Sequence, residues 1–131
     1  MEDIPNMPPN LKRGIAYLKT ELKTLPRQPG VYRMQNAAGE VLYVGKARNL
    51  VRRVTNYTQP NRLSNRIMRM VGETQKLEVI VTKSEIEALL LESNLIKKMQ
   101  PRYNILLRDD KSLPQILLTD DHEFGQLTKH R

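Results

Sequence analysis

The sequence predicts an α+β domain with a small, mainly antiparallel three-stranded sheet flanked by helices. Two short strand-like runs are separated by a loop that contains a glycine, and a β-branched run follows later in the chain. Stretches with the apolar spacing of helices precede, separate and follow these runs. A chain of 131 residues is long enough for one domain with a modest core.

The first helix is predicted to follow a flexible N-terminal segment, residues 1–10, which is rich in proline and asparagine. Asn10 is a candidate N-cap. Apolar residues then recur every three or four positions, as on one helical face: Leu11, Ile15, Leu18, Leu22 and Leu25. The domain proper is assigned to residues 11–107, and residues 108–131 to an extended C-terminal segment.

A β-hairpin is predicted from "GVYRMQ" at 30–35 and "EVLYVG" at 40–45, joined by residues 36–39. Gly39 can adopt the positive φ that such a loop requires. Alternation along the second strand places Leu42 and Val44 on one face, with Tyr43 on the other.

Two basic helices are expected next. After Asn49, the four-residue spacing puts Arg53 and Tyr57 on one helical face. A second helix is predicted over roughly 62–71, with an apolar face formed by Leu63, Ile67, Met70 and Val71. Gly72 is a plausible end for it.

The third strand is predicted at "LEVIVT", residues 77–82. Ser84-Glu85-Ile86-Glu87 is a capping box that opens a long helix, which Pro101 stops. Its predicted core face contains Leu89, Leu90, Leu91, Leu95 and Ile96. Beyond it, "RYNILL" and "PQILLT" are predicted to be strand-like or extended.

Positive charge is concentrated in one part of the chain. Lysine and arginine outnumber aspartate and glutamate by 22 to 14, and no acidic residue lies between Glu40 and Glu73. Arginine matches phosphate oxygens in pairs, so a nucleic-acid backbone is the expected partner, although a solvated basic face is the alternative. The residues predicted to bind DNA are Lys46, Arg48, Arg52, Arg53, Arg62, Arg66 and Arg69.

Cutting a phosphodiester also requires a metal or an acid, and a base. With no cysteine in the chain, a metal must rest mainly on oxygen ligands, and Glu92 is the favoured carboxylate. Tyr43 can act as a base only if its phenolate is stabilised, for which Lys46 is available. Asn104 is a candidate to hold a hydroxyl or phosphate, although local sequence alone favours turn chemistry after Pro101.

The strand pair resembles a known signature. "GVY" at 30–32 and "YVG" at 43–45 are similar to the GIY-YIG nuclease motif, with valine in place of isoleucine in both halves. "VGKARNLVRRV", "TKSEIEALLLESNLIKK" and "PRYNILLRDDKS" then follow in the order found in the N-terminal domain of the bacterial UvrC excinuclease family. The resemblance covers about residues 22–131.

The resemblance implies a metal-dependent DNA endonuclease domain that makes the 3′-side incision in nucleotide excision repair. It implies one divalent cation, Mg²⁺ or Mn²⁺, held by Glu92, and hydrolysis of one phosphodiester. The motif glycines correspond to Gly30 and Gly45. The catalytic residues implied are Tyr32, Tyr43, Lys46, Arg53, Tyr57, Glu92 and Asn104.

The family also implies partners: damaged double-stranded DNA, and a UvrB-like repair protein reached through further domains of a longer protein. A cytoplasmic location, no membrane and a monomeric isolated domain are expected. Two alternatives remain from the residues alone, namely a non-catalytic basic module that binds nucleic acid and a module that docks a repair partner.

Overall fold

The computed structural model describes residues 7–109, in which helices surround a three-stranded antiparallel sheet. The central strand β1 (Gly30–Gln35) pairs with β2 (Val41–Ala47) on one side and β3 (Lys76–Val81) on the other. The helices are α1 (Pro9–Leu22), α2 (Leu50–Asn56), α3 (Asn65–Glu73), α4 (Glu85–Met99) and α5 (Arg102–Asp109). The predicted fold class is confirmed.

The two faces of the sheet are covered differently. The cluster on one face, here called the large core, combines side chains of the sheet with those of α1, α2, α3 and α5. The cluster on the other face, the small core, consists of buried Val31, Val44 and Ala88, with α4 packed over β1 and β2. Among the described residues, no helix has the length and apolar character needed to cross a membrane.

The hairpin forms as predicted, and Gly39 has a φ of +88° in its loop. The predicted common face for Leu42 and Val44 is wrong, because Leu42 joins the large core and Val44 the small core. The strand register shifts between Met34 and Gln35. Such an irregularity interrupts the two-residue alternation from which the common face was inferred.

Helix α1 begins at Pro9, with Pro8 in the N-cap position and no side-chain cap. The predicted N-cap role of Asn10 is therefore wrong, because a proline at the first helical position starts the helix earlier. Pro9 and Asn10 are helical rather than flexible, and residues 1–6 of that predicted segment lie outside the described residues. Leu25 lies beyond the end of α1 but still packs against the large core.

Helix α3 begins later than predicted. Arg62 belongs to a short 3₁₀ turn, and the Ser64 side chain accepts a hydrogen bond from the Ile67 N–H at 3.2 Å, which caps the helix. Gly72 lies inside α3 rather than at its end. A Cβ at Gly72 would lie 2.8 Å from Nδ2 of Asn10, so glycine permits the close approach of α1.

The capping box of α4 is confirmed in a shifted form. Ser84 Oγ accepts from the Glu87 N–H at 3.1 Å, while the Glu87 carboxylate accepts from the Lys83 N–H at 2.7 Å. The prediction that Leu89 and Leu90 belong to the core face is wrong, because they are 40% and 60% exposed. Helix α4 lies on the sheet along a narrow stripe, and adjacent leucines cannot all point into it.

The prediction of an extended "RYNILL" is also wrong, because these residues form α5. Tyr103 and Leu107, four residues apart, are both buried on one side of this helix. Arg108 and Asp109 belong to α5 as well, so the extended segment predicted from residue 108 is wrong at its first two residues. "PQILLT" lies outside the described residues.

Candidate active site

Three tyrosines meet on the large-core face of β1 and β2. The hydroxyl oxygens of Tyr32 and Tyr57 lie 2.6 Å apart, and both residues are fully buried. The Tyr32 ring centroid lies 5.9 Å from that of Tyr57 and 6.0 Å from that of Tyr43, which is half-buried. The structure therefore brings together three predicted site residues from β1, β2 and the end of α2.

The two motif glycines make room for this arrangement. Gly45 lies opposite Tyr32 in the strand pairing, and a Cβ there would lie 2.5 Å from the Tyr32 hydroxyl oxygen. A Cβ at Gly30 would lie 2.5 Å from the carbonyl oxygen of Ile80 and 2.9 Å from a methyl group of Leu50. Glycine at both positions lets the Tyr32 ring, β3 and α2 approach the hairpin closely.

Burial decides the protonation state of Tyr32. Burial first, and then the neighbouring phenols of Tyr57 and Tyr43, raise the pKa of Tyr32 well above its ordinary value of 10.0, whereas the charge of Arg53 opposes the rise. Tyr32 is therefore a neutral phenol near pH 7, able to donate or accept a hydrogen bond.

Arg53 is the buried charge beside this cluster, with only 3% of its surface exposed. It lies in α2, whose N-cap is Asn49, and the Asn49 side chain accepts from the Arg52 N–H at 3.1 Å. Arg53 and Tyr57 both influence Tyr32 electrostatically, in keeping with their predicted position on one helical face.

The other two candidates approach from the opposite face of the sheet. Lys46 pairs with Val31, whose side chain lies in the small core beneath α4. Glu92 is half-buried on α4, which packs against β2. Since β2 is an edge strand, side chains from both faces can reach its outer margin.

The carboxylates do not form a metal cluster by themselves. Within residues 7–109, no three His, Cys, Asp or Glu side chains come together as metal ligands. A single carboxylate such as Glu92 suits a hard cation that retains most of its waters, as Mg²⁺ does when one or two carboxylates and substrate phosphates complete its shell.

Asn104 pairs with the backbone of β2. Its Nδ2 donates to the Val44 carbonyl at 2.9 Å, and its Oδ1 accepts from the Val44 N–H at 2.8 Å. Neither interpretation from the sequence, a direct hold on substrate or a local turn, included this contact. The amide mimics a neighbouring strand at the residue between Tyr43 and Gly45.

The basic residues predicted to bind DNA differ in how far they are buried. Arg48 forms an ion pair with Glu85 at 2.8 Å, and Arg66 donates to the Leu106 carbonyl at 3.5 Å. Arg52, Arg62 and Arg69 are exposed.

A family model matches the part of the chain that carries this site. The model of the UvrC-like GIY-YIG domain matches residues 28–105, which include β1, β2, α2, α4 and the Asn104 contact. This chain belongs to the UvrC-like GIY-YIG domain family. It is a GIY-YIG nuclease domain, and its paired strands carry the signature as "GVY" and "YVG".

Relatives of this GIY-YIG domain include the UvrABC system protein C of Rhodospirillum rubrum, 60% identical over 94% of this chain and 19% of that protein. The protein of the same name from Mesorhizobium japonicum is 61% identical over 90% of this chain and 17% of that protein. The chain thus spans about a fifth of the length of these relatives.

A solved structure shares the fold. The GIY-YIG N-terminal endonuclease domain of UvrC from Thermotoga maritima, bound to its catalytic divalent cation, magnesium, matches with a TM-score of 0.60 and 38% identity. The match covers 66% of this chain and 93% of that one.

Sequence reasoning missed one polar contact, which involves the residue that precedes Asn104. Glu73, at the end of α3, accepts from the hydroxyl of Tyr103 at 2.7 Å and from Arg102 at 2.9 Å. These residues are about 30 positions apart, so no local pattern relates them. The only signal was an acidic residue placed at the end of a basic stretch.

Proposed function

We propose that this chain is a divalent-metal-dependent DNA endonuclease domain that makes the 3′-side incision in nucleotide excision repair. The observation that carries the proposal is the meeting of Tyr32, Tyr43 and Tyr57 beside the buried Arg53, in a member of the GIY-YIG family. The domain proper, predicted at residues 11–107, is extended here to Pro9 and Asp109, because α1 and α5 include these residues.

The three tyrosines are assigned different roles because they differ in burial. Tyr32 stays protonated, so it and Tyr57 orient the attacking water and the phosphate through hydrogen bonds. Tyr43 is half-buried and accepts the proton of that water as general base. Lys46, which leaves the same edge strand on its other face, is assigned to stabilise this phenolate by reaching around the strand edge.

Glu92 is the proposed metal ligand, with Mg²⁺ or Mn²⁺ completing its shell through waters and phosphate oxygens. A cation bound there would supply stabilisation of the charge that develops on the phosphate and the departing 3′ oxygen. Arg53 binds the non-bridging phosphate oxygens, for which its planar fork is suited. Asn104 acts through its contact with β2 rather than on substrate.

DNA binding is assigned to the basic residues of the sequence between Glu40 and Glu73. Arg52, Arg62 and Arg69 are exposed and contact the phosphate backbone, and Lys46, Arg48 and Arg66 extend this surface around the site. Such contacts position the duplex without selecting sequence.

The partners proposed are damaged double-stranded DNA and a UvrB-like repair protein, because the relatives are named as components of a UvrABC system. Contact with that protein is assigned to the longer polypeptide of which such a domain is part. The isolated domain is proposed to be a cytoplasmic monomer.

Strand cutting with and without Mg²⁺ tests the proposal, on a duplex that carries a lesion and is loaded with the partner protein. Glu92→Gln is expected to abolish cutting while circular dichroism shows an unchanged fold. Glu87→Gln is the matched control, because it lies on the same helix and a glutamine preserves its capping contact.

Binding of Mn²⁺, measured by titration calorimetry or electron paramagnetic resonance, gives a readout apart from cutting. Glu92→Gln is expected to weaken it, and Glu87→Gln to leave it unchanged. If the parent chain binds DNA but does not cut it in the presence of Mg²⁺ or Mn²⁺, this proposal is replaced by that of a non-catalytic module that binds nucleic acid.

A further inference from the structure

The contact between Asn104 and β2 depends on a very short helix. Asn104 is the third residue of α5, which has eight residues. A helix of this length is not stable by itself, so tertiary contacts decide where it lies. What anchors the start of α5 therefore also decides where the Asn104 amide lies.

A carboxylate provides that anchor. The two oxygens of Glu73 accept separately from Tyr103 at 2.7 Å and from Arg102 at 2.9 Å. Arg102 also reaches Glu40 beside the hairpin loop at 3.4 Å, and its guanidinium carbon lies 5.1 Å from the centre of the Tyr103 ring. The end of α3, the hairpin and the first turn of α5 are thus tied together by charge-assisted hydrogen bonds.

Because Tyr103 is buried, its hydroxyl depends on Glu73 as a hydrogen-bond acceptor. Tyr103 is only 1% exposed, and burial first, then its hydrogen bond with Glu73, raise the pKa of Tyr103 to about 12. Partial burial opposes ionisation of Glu73, but the hydrogen bonds from Tyr103 and Arg102 outweigh it and lower the pKa of Glu73 below 4.5. A buried hydroxyl that loses its acceptor is costly, so removing Glu73 favours a different position of Tyr103.

We propose that Glu73 and Tyr103 are positioning residues, which hold Asn104 against Val44 and thereby set the place of Tyr43 on β2. Tyr103 precedes Asn104 directly, so a shift of its backbone moves the amide that pairs with Val44. The proposal rests on the proposed function only in assigning Tyr43 a role in the reaction. Loss of the anchor leaves every reacting group intact but less well placed, so kcat falls while KM for DNA is unchanged.

Hydrogen exchange of the Val44 amide, followed by NMR, tests the positioning directly and without any cutting assay. In Tyr103→Phe and in Glu73→Gln, exchange at Val44 is expected to accelerate about tenfold or more, relative to amides of the central strand β1. Glu73→Ala is expected to have a larger effect than Glu73→Gln, because glutamine keeps an acceptor for Tyr103.

Tyr17→Phe is the matched control. The Tyr17 hydroxyl accepts from the Leu77 N–H at 2.8 Å, so this substitution removes a tyrosine contact to the backbone of the opposite edge strand. It is expected to leave exchange at Val44 and kcat unchanged.

In the cutting assay, kcat is expected to fall about tenfold in Tyr103→Phe. It should fall by no more in the Tyr103→Phe, Glu73→Gln double variant, because Glu73→Gln weakens the same hydrogen bond that Tyr103→Phe removes. Unchanged exchange at Val44 in both single variants would overturn the positioning role. Acceleration equal to that of β1 amides would do so too, since it reports only lower overall stability. If the parent chain cuts nothing, the proposed function fails, but the Val44 exchange still decides this inference.

Discussion

The two faces of the sheet differ in how much they bury and in what they contribute to the site. On the large-core face, Tyr32 and Tyr57 belong to a cluster of seventeen buried side chains. On the small-core face, α4 packs along a stripe with three buried residues and carries the half-buried Glu92. Lys46 projects from β2 on this second face.

Because of this difference, one face holds side chains rigidly and the other leaves a side chain accessible to water. Phenols that must keep one orientation lie in a close-packed region, where side chains occupy single rotamers. The carboxylate proposed to hold a hydrated cation needs water beside it, and the thin packing of α4 leaves Glu92 partly exposed. The edge strand β2 joins the two regions, and Asn104 covers its margin at Val44.

The largest contrast is expected from leucine truncation on the two faces. Leu50→Ala on the large-core side should lower the free energy of unfolding by about 2–5 kcal/mol, because the side chain is fully buried. Leu90→Ala on α4 should change it by less than about 0.5 kcal/mol, because that residue is 60% exposed. Urea denaturation measures both. Equal losses would contradict the exposure of Leu90.

Overpacking beneath Tyr32 should have the next largest effect. Gly45→Ala is expected to cost about 1–3 kcal/mol, because the added Cβ would lie 2.5 Å from the Tyr32 ring and hydroxyl. Gly39→Ala is the comparison, since nothing lies within 4 Å and only its φ of +88° is unfavourable. It should cost about 1 kcal/mol or less. A smaller loss for Gly45→Ala than for Gly39→Ala in thermal melts would contradict a tight Tyr32 pocket.

A smaller effect is expected from Tyr32→Phe, which removes the hydroxyl bonded to Tyr57 and should cost about 0.5–1.5 kcal/mol. The raised pKa of Tyr32 means that its contribution to stability is present below pH 10.0 and is lost as pH rises through the folded-state pKa. Absorbance titration of the phenols should show a late step that Tyr32→Phe removes. Tyr103→Phe should instead remove the step near pH 12. Titration of all five tyrosines near pH 10 would contradict a buried, hydrogen-bonded pair of Tyr32 and Tyr57.

The smallest effect is expected for a partly exposed ion pair on the small-core side. Glu78→Gln weakens the pair with Arg33 and should cost less than about 1 kcal/mol. The hydrogen bond from Lys76 is the main cause that lowers the pKa of Glu78 below 4.5, with Arg33 adding to it. The contribution of Glu78 to the free energy of unfolding is therefore present above pH 4.5, and it is lost as the pH falls through the lowered folded-state pKa. Salt should reduce the difference between parent and variant, and a loss that persists in 1 M salt would contradict the solvent-screened character of the pair.

The sequence alone determined the features that depend on near neighbours. Alternation and a turn glycine predicted the hairpin, β-branched residues predicted β3, and Ser84 predicted the start of α4. Each signal lies within one element, where spacing and local hydrogen bonds decide the outcome. The signature tripeptides likewise placed Tyr32 and Tyr43 on paired strands, and the strand pairing confirms it.

Only the tertiary structure decided which side chains are covered and what they touch. Leu89 and Leu90 are exposed because α4 buries only one stripe of its surface against the sheet, and these two residues lie outside that stripe. Asn104 accepts a hydrogen bond from Val44 of β2, which is sixty positions earlier in the sequence, and Glu73 accepts one from Tyr103, thirty positions later. Local sequence carries no information about such partners, because the free energy of these contacts depends on elements that meet only when the chain has folded.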